Sequence, residues 1–134
     1  AEWALVPVPN RLLGHPGAFV ADAEQAGLCF LKHGPEEVVR QLLRCQLLPG
    51  LRPIAEGVAL LINLILPEDL SADGVRVFVT HDTVLAPLVF HLLGHFPGPG
   101  DWPNFLESAL FWREFGGLAV AWRGEVHWRE LNRY

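Results

Sequence analysis

The pattern of apolar and polar positions predicts three helices in this 134-residue chain. Residues 35–45 place their apolar side chains on one stripe, and a proline and two glutamates stand at the expected helix start. A second stripe covers residues 52–66. A third covers residues 83–93 despite Pro87, which should either sit in the first turn or bend the helix. The first seventeen residues, rich in proline and glycine, predict looping chain, whereas residues 18–31 fit no single element.

The remaining apolar segments predict strands. Residues 75–80 are rich in β-branched side chains and apolar on both faces apart from one arginine, as expected for a strand covered by helices on each side. Alternating runs at residues 108–115, 118–123 and 126–131 are separated by glycine-containing pairs, a strong hairpin signal. The expected turns are Gly116-Gly117 and Gly124-Glu125. We therefore predict a single α/β domain over residues 1–134, with a small mixed sheet, flanking helices and a carboxyl-terminal antiparallel meander at the edge.

Composition limits the partners of the chain. The net charge of −5 provides no basic surface for nucleic acid, and the longest apolar run, residues 58–66, is far shorter than the ~20 residues that span a bilayer. Hydrophobic residues make up 51% of the chain and the mean hydropathy is +0.25, on the apolar side for a protein of this size. This excess is consistent with apolar surface covered by another copy of the chain, in a homo-oligomer, or by a missing amino-terminal segment.

The start of the sequence and its two cysteines indicate the cellular compartment in which the protein is expected. No basic region leads into an apolar one, as a secretory signal requires, and the sequence contains no methionine, which fits either removal of an initiator or excision from a longer chain. Cys29 and Cys45 have neither zinc-finger nor Cys-x-x-Cys spacing, and we interpret them as thiols in a reducing cytosol. We therefore expect a cytoplasmic protein.

The feature with the clearest chemical potential is a His-Asp pair at the end of a predicted strand. His81 and Asp82 directly follow residues 75–80 and precede the predicted helix over residues 83–93. Open α/β sheets place ligand sites at the carboxyl ends of their strands, so this junction is a candidate site. The alternative is structural, because an aspartate at the start of a helix is a common cap and the adjacent histidine would then be ordinary.

The His-Asp-Thr sequence of residues 81–83 at this junction resembles the second signature of the histidine phosphatase superfamily, in particular its acid phosphatase and phytase branch. Residues 51–57 resemble the helix that precedes the His-Asp strand, residues 102–110 the segment leading into an edge strand, and residues 123–126 the closing turn. The resemblance covers residues 51–134 and implies a partial phosphoglycerate-mutase-like sheet. The family's Arg-His-Gly signature has no clean counterpart in this sequence.

The resemblance implies phosphomonoester hydrolysis through a phosphohistidine, if an Arg-His-Gly strand completes the site. His81 would bind phosphate, Asp82 would protonate the leaving alkoxide, and Thr83 would be a supporting phosphate-binding hydroxyl. A carboxylate at a helix amino terminus is stabilised as the anion, so proton donation requires the charge of bound phosphate nearby. The implied ligand is a phosphorylated small molecule or inorganic phosphate, and no cofactor is expected.

Residues 28–35 imitate the missing signature, with an apolar run followed by Lys32, His33 and Gly34. Lysine cannot reproduce the bidentate fork of arginine, and the spacing from His33 to His81 is short for the family's intervening sheet. His33 is therefore a candidate nucleophile that we expect to lie instead in an exposed helix-capping loop, outside any crevice that contains His81.

The other histidines do not predict a metal site. His91 and His95 are four residues apart, but Gly94 should end the helix between them and no third ligand is suitably spaced. Glycine-rich phosphate loops and nucleophile elbows are also absent from the sequence. Two interpretations are left open: part of a histidine-type phosphomonoesterase, or a non-catalytic module of phosphatase fold that serves ligand binding or assembly.

Overall fold

The computed structural model describes residues 10–14, 17–68 and 74–131, in which four helices precede a three-stranded antiparallel sheet. The helices are α1 (Ala23–His33), α2 (Pro35–Leu43), α3 (Ile54–Ile65) and α4 (Asp82–Leu93). The strands are β1 (Leu110–Glu114), β2 (Gly117–Trp122) and β3 (Glu125–Glu130), in the spatial order β1-β2-β3. This combination is consistent with the general α/β class. None of the helices in the described ranges has the length and apolarity needed to cross a membrane.

The three predicted helices form within two residues of their expected bounds, and α1 occupies the segment that fitted no single element. Its start is set by Asp22, whose carboxylate accepts a hydrogen bond from the Gln25 backbone N–H at 3.0 Å. The apolar stripe of α1 is weak because Leu28 and Leu31 are 64% and 84% exposed. A helix with so little amphipathic pattern gives no clear periodic signal in the sequence.

Pro87 is buried in the second turn of α4, not in the first turn. Because proline has no backbone N–H, the carbonyl of Thr83, four residues earlier, loses its intrahelical donor. The helix nevertheless continues to Leu93 and ends at Gly94, which adopts the left-handed conformation with φ 63° and ψ 29°.

The hydrophobic core lies between α3, α4 and the inner strand β2. Leu118 and Val120 of β2 belong to the same buried cluster as Leu61 of α3 and Leu92 of α4, and all four are fully buried. A second, smaller buried cluster joins Val39 of α2 to Ala86 and Phe90 of α4. The meander therefore packs against the helices through its middle strand.

Two strand arginines tie the sheet to the carboxyl ends of helices. Arg129 of β3 donates from Nε to the Leu92 carbonyl at 2.6 Å and from Nη2 to the Leu93 carbonyl at 2.9 Å, at the end of α4. Arg113 of β1 donates to the carbonyl of Leu66, the residue that follows α3. The last carbonyls of a helix have no intrahelical donors and carry partial negative charge. A guanidinium therefore stabilises the helix end both by donating hydrogen bonds and by its positive charge.

The meander has the predicted strands, but its turns lie one residue earlier than expected. The connecting pairs are Phe115-Gly116 and Arg123-Gly124, and all four residues have positive φ, from 50° to 82°. Such pairs of positive φ values are typical of type I′ turns, whose twist matches that of the flanking strands. Gly117 belongs to β2 instead of the turn, where a Cβ atom would lie 2.4 Å from the ring of Trp128.

Residues 75–80 form neither a helix nor a strand, so the predicted central strand is absent from the described residues. Val75, Val77 and Val79 are 80%, 79% and 83% exposed, whereas Phe78 packs against the core. The backbone of this segment makes no hydrogen bond to the backbone of another described residue, although Thr80 Oγ1 donates to the Leu13 carbonyl at 2.6 Å. A strand needs a neighbour to share its ladder. The described residues contain a sheet only in the meander, so they lack the predicted mixed sheet around this segment.

Candidate functional site

His81 lies at the amino terminus of α4, where the chain changes from extended to helical. It is the N-cap residue, with φ −98° and ψ 159°, and its carbonyl accepts hydrogen bonds from the N–H groups of Val84 and Leu85 at 3.0 and 2.9 Å. The imidazole makes no capping hydrogen bond to the helix, and the residue is exposed. The ring is therefore accessible beside a helix amino terminus, where backbone N–H groups favour anions.

Asp82 is the first residue of α4, and both oxygens of its carboxylate accept hydrogen bonds. Oδ1 accepts from the backbone N–H of Thr83 at 2.8 Å, and Oδ2 accepts from Nε1 of Trp102 at 2.8 Å. The first bond satisfies an N–H group that has no partner within the helix, which is part of the capping role considered for this aspartate. The second bond spans twenty positions of sequence and fixes the orientation of the carboxylate.

The loop that carries Trp102 is held by Arg123, in the turn between β2 and β3. Nε and Nη2 of Arg123 donate to the two carboxylate oxygens of Glu107, each at 2.8 Å. Nη2 also donates to the carbonyls of Asp101 and Trp102 at 3.1 and 3.3 Å. The hydrogen bond from Arg123 lowers the pKa of Glu107, and the reciprocal effect raises the pKa of Arg123. The hairpin turn thus positions Trp102 and, through its indole, Asp82.

Asp101 stabilises the other end of the same loop. Its Oδ2 accepts from the Gly98 backbone N–H at 2.7 Å and lies 3.3 Å from Nε2 of His95. The Gly98 N–H lowers the pKa of Asp101 most, and the contact with His95 lowers it further. These contacts are local, whereas the hydrogen bonds of Arg123 join residues 16 to 22 positions apart. Only the glycine beside Arg123 marked its position as a turn.

The arginines of the segments that resemble the phosphatase family make structural contacts. Arg52 donates from Nη1 to the carbonyls of Ala18 and Val20, both at 2.8 Å, and so ties the start of α3 to the chain before α1. Arg76, within residues 75–80, stacks over the ring of Phe78 at 5.1 Å from its centroid. Arg123 is bonded to Glu107, so Arg52, Arg76 and Arg123 each make a contact within the fold.

Thr83 is half-buried and lines a cavity of about 270 Å³ between α1 and the first turn of α4. The other lining residues are Phe19, Val20, Ala23, Ala26, Gly27, Phe30 and Val84. None of these side chains is ionisable, so the cavity offers an apolar surface next to the His81-Asp82 pair. Sequence reasoning did not find this cavity, because its walls come from segments far apart along the chain.

His33 is the last residue of α1 and is exposed. Lys32 and His33 occupy the last turn, where positive charge is favoured by the helix dipole, and Gly34 then leads into α2 with φ 81°. A second cavity, of about 400 Å³, lies between the end of α4 and the β2–β3 hairpin. Neither of these two cavities is lined by His33 or by His81.

The remaining metal-binding candidates lie apart. Within residues 10–14, 17–68 and 74–131, no group of three or more His, Cys, Asp or Glu side chains could hold a metal ion. His91 is half-buried in the last turn of α4, where burial lowers its pKa, while His95 pairs with Asp101 beyond Gly94. Cys29 is buried and Cys45 is exposed, and both are free thiols.

Comparison of the chain with protein-family models, with curated proteins and with solved structures found no match.

Proposed function

We propose that this chain carries the phosphate-binding and proton-donating part of a phosphomonoesterase site of the histidine phosphatase type. The observation that carries the proposal is the position of His81 and Asp82, which are adjacent, exposed and located at the amino terminus of α4. The positive end of the α4 dipole and a protonated imidazole both attract a phosphate dianion, and a carboxylic acid beside it can protonate a leaving oxygen.

The reaction needs a nucleophile that the printed sequence does not supply in an Arg-His-Gly motif. In the proposed reaction, the histidine of such a strand attacks phosphorus and the ester P–O bond breaks. Asp82 gives its proton to the departing alkoxide, and water then releases inorganic phosphate from the phosphohistidine. Residues 75–80 support this arrangement, because their backbone has no backbone hydrogen-bond partner among the described residues and could pair with a further strand.

The indole of Trp102 defines how Asp82 would act. Nε1 of tryptophan can only donate, so Oδ2 of Asp82 remains an acceptor whether or not the carboxyl group is protonated. The Thr83 N–H engages Oδ1 in the same way, so each oxygen keeps one lone pair that can carry the transferable proton. Negative charge from phosphate bound at the helix amino terminus would favour that protonated form.

The test measures phosphate binding by the chain itself. Binding is monitored by ¹H–¹⁵N NMR during titration with inorganic phosphate and, in a separate titration, with orthovanadate. We expect the amide signals of residues 81–84 to move, and we expect His81→Asn to weaken binding about tenfold, because a charge-assisted hydrogen bond is lost. His33→Asn is the matched control and should bind phosphate like the wild type. Without the Arg-His-Gly strand, p-nitrophenyl phosphate should not be turned over. Unmoved α4 signals, or equal weakening by both substitutions, would contradict the proposal.

The exposed valines favour a second candidate, a non-catalytic module used in assembly. Val75, Val77 and Val79 expose three apolar side chains on a segment outside any helix or strand, and exposed apolar surface of this kind often contacts another chain. In that case, the wild-type chain should self-associate in sedimentation equilibrium experiments, and Val77→Lys should reduce the association. Val126→Lys, at a valine 62% exposed on β3, provides the control. A chain that stays monomeric and binds phosphate would exclude the assembly role.

A further inference from the structure

The cavity between α1 and α4 has the size of a binding site for one small apolar group. Its volume of about 270 Å³ exceeds the roughly 150 Å³ of an apolar protein cavity known to hold benzene. Phe19 and Phe30 contribute aromatic walls, and Phe19 is almost fully buried, at 3% exposure. The wall provided by Phe19 is held in place, since its ring packs directly over Gly57 of α3.

The cavity and the candidate site share the first turn of α4, because Thr83 and Val84 line the cavity and directly follow His81 and Asp82. Thr83 follows Asp82 in the chain, and Val84 lies one helical turn after His81, to whose carbonyl its N–H donates at 3.0 Å. Both side chains line the cavity. A molecule that placed an anion at the amino terminus of α4 could therefore place an attached apolar group between α4 and α1.

The chemistry of the walls restricts that group. The side chains of the lining offer one hydroxyl, from Thr83, and otherwise aliphatic or aromatic carbon, and the lining as a whole is mostly apolar. A sugar or a charged group would lose its hydration without gaining hydrogen bonds, which is unfavourable, whereas an aromatic ring gains contact with the two phenylalanines.

We infer that this cavity holds the organic part of the substrate, and that the substrate is a phosphomonoester of a neutral, apolar alcohol about the size of one aromatic ring. The inference rests on the proposed phosphatase function, because it assigns the phosphate to His81 and the helix amino terminus. It adds a specificity site formed by α1, an element outside the segments that resemble the phosphatase family.

The experiment compares the affinities of phenyl phosphate, methyl phosphate, inorganic phosphate and phenol by NMR titration of the wild-type chain. Burial of a phenyl ring should make phenyl phosphate bind about tenfold more tightly than methyl phosphate. The ring should also shift signals from Phe19, Phe30 and Gly27, which methyl phosphate should leave unchanged.

Gly27→Leu tests the cavity directly. Gly27 lines the cavity in the middle of α1, and a Cβ atom there meets nothing within 4 Å, so the larger side chain can grow into the space without a clash. Replacing a helical glycine also favours the helix, so the variant should remain folded. We expect the preference for phenyl phosphate to disappear while methyl phosphate binds as before. Ala55→Leu, at an exposed position of α3, is the control for an added surface leucine.

The outcomes separate the two proposals. Equal binding of phenyl and methyl phosphate to the wild type, or an unchanged preference in Gly27→Leu, would overturn the cavity assignment and leave the phosphate site intact. Binding of phenol with no response to any phosphate would overturn the phosphatase proposal, and with it the assignment of an ester substrate.

Discussion

At the scale of single residues, Asp82 stabilises the structure and is also available for the proposed chemistry. Its carboxylate accepts one hydrogen bond from the start of α4 and one from the indole of Trp102, yet the residue is exposed. An exposed carboxylate with two fixed donors is well oriented, and orientation is what both a cap and a proton donor require. The two roles can be separated by a substitution that keeps the shape and removes the acid.

We predict that Asp82→Asn lowers the free energy of unfolding by at most about 1 kcal/mol, because the remaining amide oxygen still accepts one of the two hydrogen bonds. Urea denaturation measures this change. In a phosphatase completed by an Arg-His-Gly strand, the same variant should lose much more turnover on alkyl phosphates than on aryl phosphates, whose leaving groups need little protonation. Marked destabilisation with equal relative activity on both substrate classes would assign Asp82 to capping alone.

His91 should make the stability of the protein sensitive to mild acid. Burial lowers its pKa from the ordinary 6.5, so the unfolded chain binds a proton on this imidazole at a higher pH than the folded chain. Above about pH 6.5 the imidazole is neutral in both states and the free energy of unfolding is at its highest with respect to this group. Below that pH it falls, until the pH has passed the lowered folded-state pKa. We expect His91→Gln to reduce the fall in Tm between about pH 7 and 5, measured by circular dichroism, more than the exposed control His33→Gln. An identical pH dependence in both variants would contradict this assignment.

At the scale of elements, two helical glycines have opposite surroundings. A Cβ atom at Gly57 of α3 would lie 2.3 Å from the ring of Phe19, whereas one at Gly27 of α1 meets nothing within 4 Å. We therefore predict that Gly57→Ala destabilises the protein by about 1–3 kcal/mol, because the buried ring must move. Gly27→Ala should stabilise it by up to about 1 kcal/mol through helix propensity. Both changes are measurable by urea denaturation, and equal effects would mean that Phe19 does not pack on α3 as described.

At the scale of the whole molecule, the sheet and the helices are joined by the core and by arginines at helix ends. Arg129 makes two hydrogen bonds to the last carbonyls of α4, in a partly buried position. Its replacement by glutamine should lower the free energy of unfolding by about 1.5–3 kcal/mol, the range for hydrogen bonds to charged groups. Arg40→Gln, which breaks an exposed pair with Glu36 at 3.5 Å, should cost less than about 1 kcal/mol. If the two variants lose similar stability, Arg129 does not hold the meander to α4.

The elements that could be predicted were those whose signals are local. The stripes of α2 and α3 gave helices within two residues of their bounds, and the glycine pairs gave both hairpins, with each turn displaced by one residue. The displacement at Gly117 has a tertiary cause, since the ring of Trp128 from β3 covers that glycine. The position of the His81-Asp82 pair at the start of a helix was also predicted, because N-terminal signals lie within a few residues of each other.

The sequence by itself therefore determined the helices with clear stripes, the meander and the residue types at the candidate site. Only the tertiary structure decided which groups meet: Trp102 with Asp82, Arg123 with Glu107, and α1 with Thr83 around a cavity. It also decided that residues 75–80, despite their β-branched side chains, share no backbone hydrogen bonds with the other described residues. Helix periodicity and turn preference are properties of neighbouring residues, whereas a strand pair, a long-range ion pair or a cavity depends on segments that only folding brings together.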